Sequence, residues 1–299
     1  MRTRRLNNGG ARLRPSGSAS QAVSPGSVAQ ALEAATDALR AAGVESPRLD
    51  AELLLAEASG IGRAALAASP DAALDAVTGR AFAELVRRRL RREPIAYILG
   101  RRGFRHIELA VDRRVLIPRP ETELLVELAL ELQPSTVLDV GTGSGAIALA
   151  VADELPDATV LATDIYPETL DVARANAERL GLADRVRFEL ASLPREGSFD
   201  LLLANLPYVM ASEWLALEPE LRDFEPRGAL TPGPTGLEAF EALLGELSVS
   251  PLEVSAIGME VGDGMWATVA ELVRRAGFEP VEVRPDLAGI DRLVVGHQP

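Results

Sequence analysis

Cysteine is absent from the 299 residues and histidine occurs only twice, as His106 and His297. Disulfides, thiolate catalysis, iron-sulfur clusters and any His/Cys zinc site are thereby excluded, so the chemistry must run on oxygens, backbone groups and a bound cofactor. No apolar run approaches the roughly 18 residues that a membrane helix needs. Basic charge is short as well: 31 basic against 44 acidic residues leave a formal net charge of −13. Non-specific nucleic-acid binders draw most of their affinity from Lys and Arg on phosphate, and a chain this acidic is not built that way. A folded protein or small-molecule partner fits better. What is present is ordinary for a globular enzyme, with 47% hydrophobic and 25% charged residues and enough length for one large or two modest domains.

The first 25 residues depart from this composition. Arg2, Arg4, Arg5, Arg12 and Arg14 stand there without an acid among Gly, Ser, Asn and Pro, and Asn7 to Gly10 and Pro15 interrupt any amphipathic targeting helix. A disordered basic tail over 1–25 and a cytoplasmic, monomeric enzyme are the expectations.

Past the tail, Ser27 and Gln30 form a capping box for a helix carrying Val28, Ala31, Leu32, Ala35 and Leu39 and stopped by Gly43. Ser46 and Pro47 open a second helix with Leu49, Leu53 and Leu54 on its apolar face, ending at Gly60. A third is expected from Leu74 to Arg92, with Val77, Phe82, Leu85, Val86 and Leu90 inward and Pro94 as its stop. Residues 26–94 thus read as a small helical bundle, either a packing appendage or a substrate-recognition domain. Alternation from Ile95 to Ile117 around Gly100, Gly103 and Phe104 suits a β-hairpin linker over 95–118.

From residue 119 to 299, short β-rich runs alternate with helical stretches. The runs are Val137 to Val140, Thr159 to Thr163, Val186 to Leu190, Leu201 to Ala204 and Val254 to Met259; the helices lie at Glu121 to Leu132, Ala146 to Glu154, Pro167 to Leu180 and Leu237 to Leu247. That rhythm specifies an α/β domain with a doubly wound parallel sheet. Val281 to Val283 and Arg292 to Val295 follow across a short link and suit an antiparallel hairpin at the sheet edge.

The run Val137-Leu138-Asp139-Val140 leads into Gly141-Thr142-Gly143-Ser144-Gly145, a strand entering a glycine-rich turn at the start of a helix. Glycines permit close backbone approach to a ligand, and the helix beyond offers unpaired N–H groups. About twenty residues on, Thr163-Asp164 ends the second strand, where a carboxylate accepts both hydroxyls of a ribose. The alternative role for Asp164 is to cap the helix that begins at Pro167. Loop and carboxylate specify adenosine without choosing the cofactor.

After the strand Phe199 to Ala204 comes Asn205-Leu206-Pro207-Tyr208, at the carboxyl end where open α/β sheets bind ligands. This run resembles the Asn-Pro-Pro-Tyr signature of methyltransferases that act on planar amide or exocyclic amino nitrogens. With the Gly141 to Gly145 loop and Asp164 it resembles a Rossmann-like, seven-stranded methyltransferase using S-adenosyl-L-methionine. Pro94 to Gly100, Leu116 to Glu123, Phe224-Glu225-Pro226 with Ala229-Leu230, Glu260-Val261-Gly262 and Asp286 to Arg292 further resemble the release factor glutamine methyltransferases, from about residue 28 to the end.

That resemblance implies methyl transfer to the side-chain amide (N5) of the glutamine in the Gly-Gly-Gln loop of a peptide-chain release factor. It implies that the Asn205 side-chain oxygen and the Leu206 carbonyl accept the two amide protons, that Pro207 and Tyr208 wall the flat amide, that Gly141, Thr142, Gly143, Ser144, Gly145, Asp164 and Asn205 hold the cofactor, and that Phe104 and Ile117 to Glu121 stand over the mouth. Glu121 alternatively serves only as a charge at its helix N-terminus. Leu206 departs from the family's proline; leucine keeps the carbonyl and gives up a fixed φ, so proline there is expected to raise turnover. Ser192-Leu193 stands where the family often has an acid and an aromatic for the adenine, and no contact is assigned there. Asn-Leu-Pro-Tyr also resembles the form found in RNA adenine dimethyltransferases, which keeps an amino-group methyltransferase of RNA or DNA as the alternative; a non-catalytic binder is the third. His106 and His297 are expected at the surface, and Trp214 and Trp266 in packing or surface anchoring.

Overall fold

The computed structural model describes residues 26–298; the basic segment 1–25 lies outside the described residues. Helix α1 (Val28–Ala41) opens on the expected box: Gln30 N–H donates to Ser27 Oγ at 3.3 Å and Ser27 N–H to Gln30 Oε1 at 3.1 Å. Helix α2 (Pro47–Ser59) starts at its proline and ends at Gly60, whose φ of 67° is left-handed. Ser46, expected to cap it, makes no side-chain cap bond. A short α3 (Arg63–Ala68) follows that periodicity did not reveal. Helix α4 (Ala76–Leu90) begins later than expected because the Asp75 carboxylate, not the chain near Leu74, accepts the first free N–H groups, from Val77 at 2.8 Å and Thr78 at 3.0 Å. That start turns Val77, expected inward, 69% out to solvent, and Leu90 is also exposed. Leu39, Leu54, Leu55 and Phe82 make the core of these helices.

The expected hairpin is shorter than 95–118. Residues after Pro94 first form α5 (Ile95–Leu99), which buries Ala96, Tyr97 and Ile98, and Gly100 turns the chain into β1 (Arg101–Phe104) and β2 (Ile107–Ala110), paired antiparallel. Then come α6 (Glu123–Leu132), β3 (Thr136–Val140), α7 (Ala146–Glu154), β4 (Thr159–Asp164), α8 (Pro167–Leu180), β5 (Val186–Leu190), β6 (Ser198–Asn205), α9 (Pro219–Phe224), α10 (Glu238–Val249), β7 (Glu253–Glu260), α11 (Trp266–Arg275), β8 (Val281–Pro285) and β9 (Asp291–His297).

The seven strands β3 to β9 form one sheet in the order β5-β4-β3-β6-β7-β9-β8; the first five are parallel, and β9 runs antiparallel between β7 and β8. Period-two alternation sorts its side chains into two cores. Leu201 and Leu203 face Leu125 of α6 and Leu149 of α7, while Leu202 and Ala204 face Phe240 of α10 and Val269 of α11. From β3 the chain winds outward through β4 and β5, then crosses back to lay β6 on the other side of β3. That reversal opens a crevice at the carboxyl ends of β3 and β6. Among the described residues no helix is long and apolar enough to cross a membrane.

Candidate functional site

The crevice holds a cavity of about 510 Å³, within the range of small-molecule sites. Six of the residues assigned to cofactor or substrate line it: Gly141, Gly143, Asp164, Asn205, Leu206 and Pro207. Gly141 and Gly143 have φ of 74° and 60°, so the turn presents bare backbone to the cavity. Thr142, Ser144 and Gly145 stand behind that wall. The Thr142 hydroxyl points inward and donates to Asp139 Oδ2 at 2.6 Å, and Ser144 is buried with its carbonyl accepting from Asn176 Nδ2. Gly145 is the N-cap of α7.

Asp139 is the strut of the loop. It is fully buried, and its Oδ2 also accepts the Ala148 N–H at 3.2 Å, which ties the turn to the first turn of α7. Burial pushes its carboxyl up to about 7, against the pull of the Thr142 and Ala148 hydrogen bonds. Asp164, at the end of β4, accepts Gly143 N–H on Oδ2 at 3.1 Å and Tyr166 N–H on Oδ1 at 3.0 Å. It does not cap α8, whose N-cap position is Tyr166. Each Asp164 oxygen keeps a further lone pair, so the carboxylate can receive two hydroxyls from a ligand in the cavity. Burial raises its pKa, opposed by those backbone hydrogen bonds.

Asn205 ends β6 half-buried and donates from Nδ2 to Thr122 Oγ1 at 2.8 Å. Leu206 is buried at 8%, and its Cδ2 lies 3.4 Å from where a Cβ on Gly141 would stand, so the leucine forms the apolar wall between loop and motif. Tyr208 is half-buried behind Pro207, with its ring against Gly262, where a Cβ would meet it at 2.9 Å. Burial pushes the Tyr208 hydroxyl up to about 12.

Phe104 is not at the mouth. Inward alternation on the β1–β2 hairpin carries it, with Ile107 and Leu109, into the core, and it is 2% exposed. Leu116, Tyr166, Pro226 and Ala229 line the cavity instead, and the buried Glu225 carboxylate beside Pro226 pairs with the partly exposed Arg119 at 2.6 Å. His106 is exposed beside Glu154, and His297 is half-buried at the end of β9. Trp214 is half-buried under the Arg227 guanidinium, 4.9 Å from its ring centre, and Trp266 is exposed at the start of α11.

Residues 30–100 match the family model described as the PrmC N-terminal domain, and residues 137–224 match a methyltransferase domain. The release factor glutamine methyltransferase of Rhodopirellula baltica is 41% identical over 285 residues, covering 90% of this chain and 96% of that protein. The one of Nitratidesulfovibrio vulgaris is 42% identical over 272 residues, covering 88% and 92%. The chain belongs to the release factor glutamine methyltransferases.

Among solved structures, the hMettl16 catalytic domain in complex with a MAT2A 3'UTR hairpin superposes with a TM-score of 0.52 at 15% identity, covering 63% of this chain and 74% of that one. It shares the fold of this methyltransferase. Within the site of this release factor glutamine methyltransferase, three features carried no sequence signal that singled them out. Thr122 and Asp139 sat inside quoted motifs without a role, and Glu246 of α10 reaches the cavity, where it accepts the Ser192 hydroxyl at 2.7 Å. The carboxylate on that wall thus comes from α10, and Leu193 turns into the core.

Proposed function

We propose that the protein transfers a methyl group from S-adenosyl-L-methionine to the side-chain amide nitrogen of the glutamine in the Gly-Gly-Gln loop of a peptide-chain release factor. The observation that carries this reading is the shared cavity. Asn205 and Leu206 line it together with the glycine turn and Asp164. Asp164 fits a ribose diol with its spare lone pairs, and Gly141 and Gly143 leave the backbone free to approach the rest of the cofactor. When bound, that cofactor supplies an electrophilic methyl on a positively charged sulfur.

An amide nitrogen is a weak nucleophile because its lone pair is delocalised, so the chain's task is orientation and charge stabilisation. The Asn205 Oδ1 and the Leu206 carbonyl accept the two amide hydrogens and turn the nitrogen toward the methyl. Asn205 Oδ1 and the Leu206 carbonyl face the positive charge that builds on the nitrogen as the methyl arrives and the carbon–sulfur bonding pair stays with the cofactor, until one amide proton passes to solvent as the product leaves. Pro207 and Tyr208 flank the amide plane and exclude water. We assign release-factor recognition to the helices of residues 26–94; ion pairs from Arg89 and Arg92 to Glu220, in the segment between the motif and the cavity mouth, support this.

The test incubates purified protein with labelled S-adenosylmethionine and a recombinant release factor, wild type or with its loop glutamine replaced, followed by peptide mass spectrometry. Label on that glutamine alone is expected. Label absent from the factor and present on RNA or DNA in a parallel reaction overturns the reading.

A further inference from the structure

The side-chain amide of Asn205 has two ends of nearly equal size and opposite hydrogen-bonding sense. Whichever faces the cavity decides whether it accepts from a substrate amide or repels it. Its Nδ2 is anchored on Thr122 Oγ1 at 2.8 Å, which leaves Oδ1 for the cavity. A threonine hydroxyl, however, can donate as readily as accept, and a donating Thr122 would select the opposite amide orientation. Something must therefore accept from the Thr122 hydroxyl. Glu260 is placed to do so. It ends β7 directly opposite Asn205 in the parallel register, is 3% exposed, and lies near enough to the Thr122 side chain for that hydroxyl to lower its pKa. Its Oε2 is buried and has no hydrogen-bond partner among the described residues, so it is open to the Thr122 hydroxyl. Thr122 itself is 4% exposed, just ahead of α6.

We infer that Thr122 and Glu260 are positioning residues that fix the polarity of Asn205: the Glu260 carboxylate accepts a hydrogen bond from the Thr122 hydroxyl, Thr122 is thereby committed to accept from Asn205 Nδ2, and Asn205 Oδ1 is held toward the substrate amide. The inference rests on the proposed glutamine methylation and adds to it two residues that touch neither substrate nor cofactor. An ionised carboxylate only accepts, whereas a protonated one also donates and no longer enforces the direction of the chain. Burial pushes Glu260 up to about 7; Thr122 pulls it down, Glu121 pushes it up, and Arg292 and Arg119 pull it down, with Tyr208 alongside. Ionisation therefore falls in a range that a rate profile can read.

The experiment measures methylation of release factor by wild type, Thr122→Val, Thr122→Ser and Glu260→Gln, together with cofactor binding by calorimetry, thermal midpoint and the pH profile of kcat. Thr122→Val is expected to lower kcat about 100-fold, on the scale of losing one preorganised polar group at a reacting centre, with KM for the release factor and the cofactor dissociation constant within about twofold of wild type. Glu260→Gln should lower kcat by at least about tenfold and abolish the rise of kcat with pH near neutrality, because a glutamine at 260 can itself donate to Thr122. Thr122→Ser, which keeps the hydroxyl, should restore kcat. Equal kcat in wild type, Thr122→Val and Glu260→Gln overturns the inference alone. So does a Thr122→Ser protein as inactive as Thr122→Val, or loss of cofactor binding in step with kcat, since either marks a merely structural role. A wild type that leaves the loop glutamine unlabelled is a different failure: it overturns the proposed function, and the inference with it.

Discussion

Leu206 combines a backbone task with a packing one. Its carbonyl is the proposed second acceptor for the substrate amide, while its side chain is buried against Gly141 and the apolar cluster of Leu138, Leu202 and Leu243. Proline at this position fixes φ near −65° and shortens the side chain. In Leu206→Pro we expect kcat to rise and stability to fall by about 1 to 2 kcal/mol, the worth of part of a buried leucine, read from steady-state kinetics and urea unfolding. A sharp fall in kcat would show that the leucine, not a rigid backbone, sets the acceptor. At this scale the sequence exposed residues that sit beside one another in a motif, such as Gly141 and Gly143 or Asn205 to Pro207. It could not expose Thr122, which meets Asn205 across 83 positions, because that contact is created only when α6 packs behind the ends of β6 and β7. Resemblance places Phe104 at the mouth, and it lies in the core because packing of the β1–β2 hairpin turns its face inward, which no local pattern reports.

Elements were legible where their ends carried chemistry. The capping box of α1, the proline start of α2 and its left-handed glycine end all appear where expected. Helices α3 and α5 span six and five residues, too few for a period to show. Helix α11 has its buried Val269, Ala270 and Val273 on one face and Glu271, Arg274 and Arg275 outside, yet it lacks a side-chain cap to announce it. Nor does any local pattern disclose how α4 meets α9. Arg89 pairs with Asp50 of α2 and with Glu220, and Arg92 pairs with the same Glu220, all at 2.6 to 2.7 Å and mostly buried. Removing the shared acid leaves Arg89 paired with Asp50 alone and Arg92 paired only with the exposed Glu218. Glu220→Ala should therefore cost about 1 to 3 kcal/mol in urea unfolding, and the KM for release factor should rise more than kcat falls, because this segment leads to Pro226 and Ala229 at the cavity. An unchanged KM would separate α9 from substrate recognition.

Across the whole molecule, four buried acids have raised affinity for protons in the folded state, Asp139, Asp164, Glu225 and Glu260. Asp139 and Glu260 are both pushed up to about 7, from ordinary values near 4, chiefly by burial. From about pH 5, above the range where the acids with lowered pKa titrate, to about 7 these two groups hold more protons in the folded protein than in the unfolded chain, so their contribution to stability falls as pH rises and levels off above. Urea midpoints across pH 5 to 8 should show that decline for wild type and a shallower one for Asp139→Asn, which carries the neutral form at every pH. A flat wild-type profile would mean that both carboxylates are ionised throughout at no cost.

The position of β9 has a consequence for how the protein is made. Synthesis delivers β3 to β7 first, but the permanent neighbour of β7 is the strand made after β8, and until it arrives the parallel half of the sheet ends in a long apolar edge with unpaired backbone groups. On the ribosome, each growing copy is thus a half-open sheet in search of one more strand, and the copies emerging beside it on the same messenger offer the same surface.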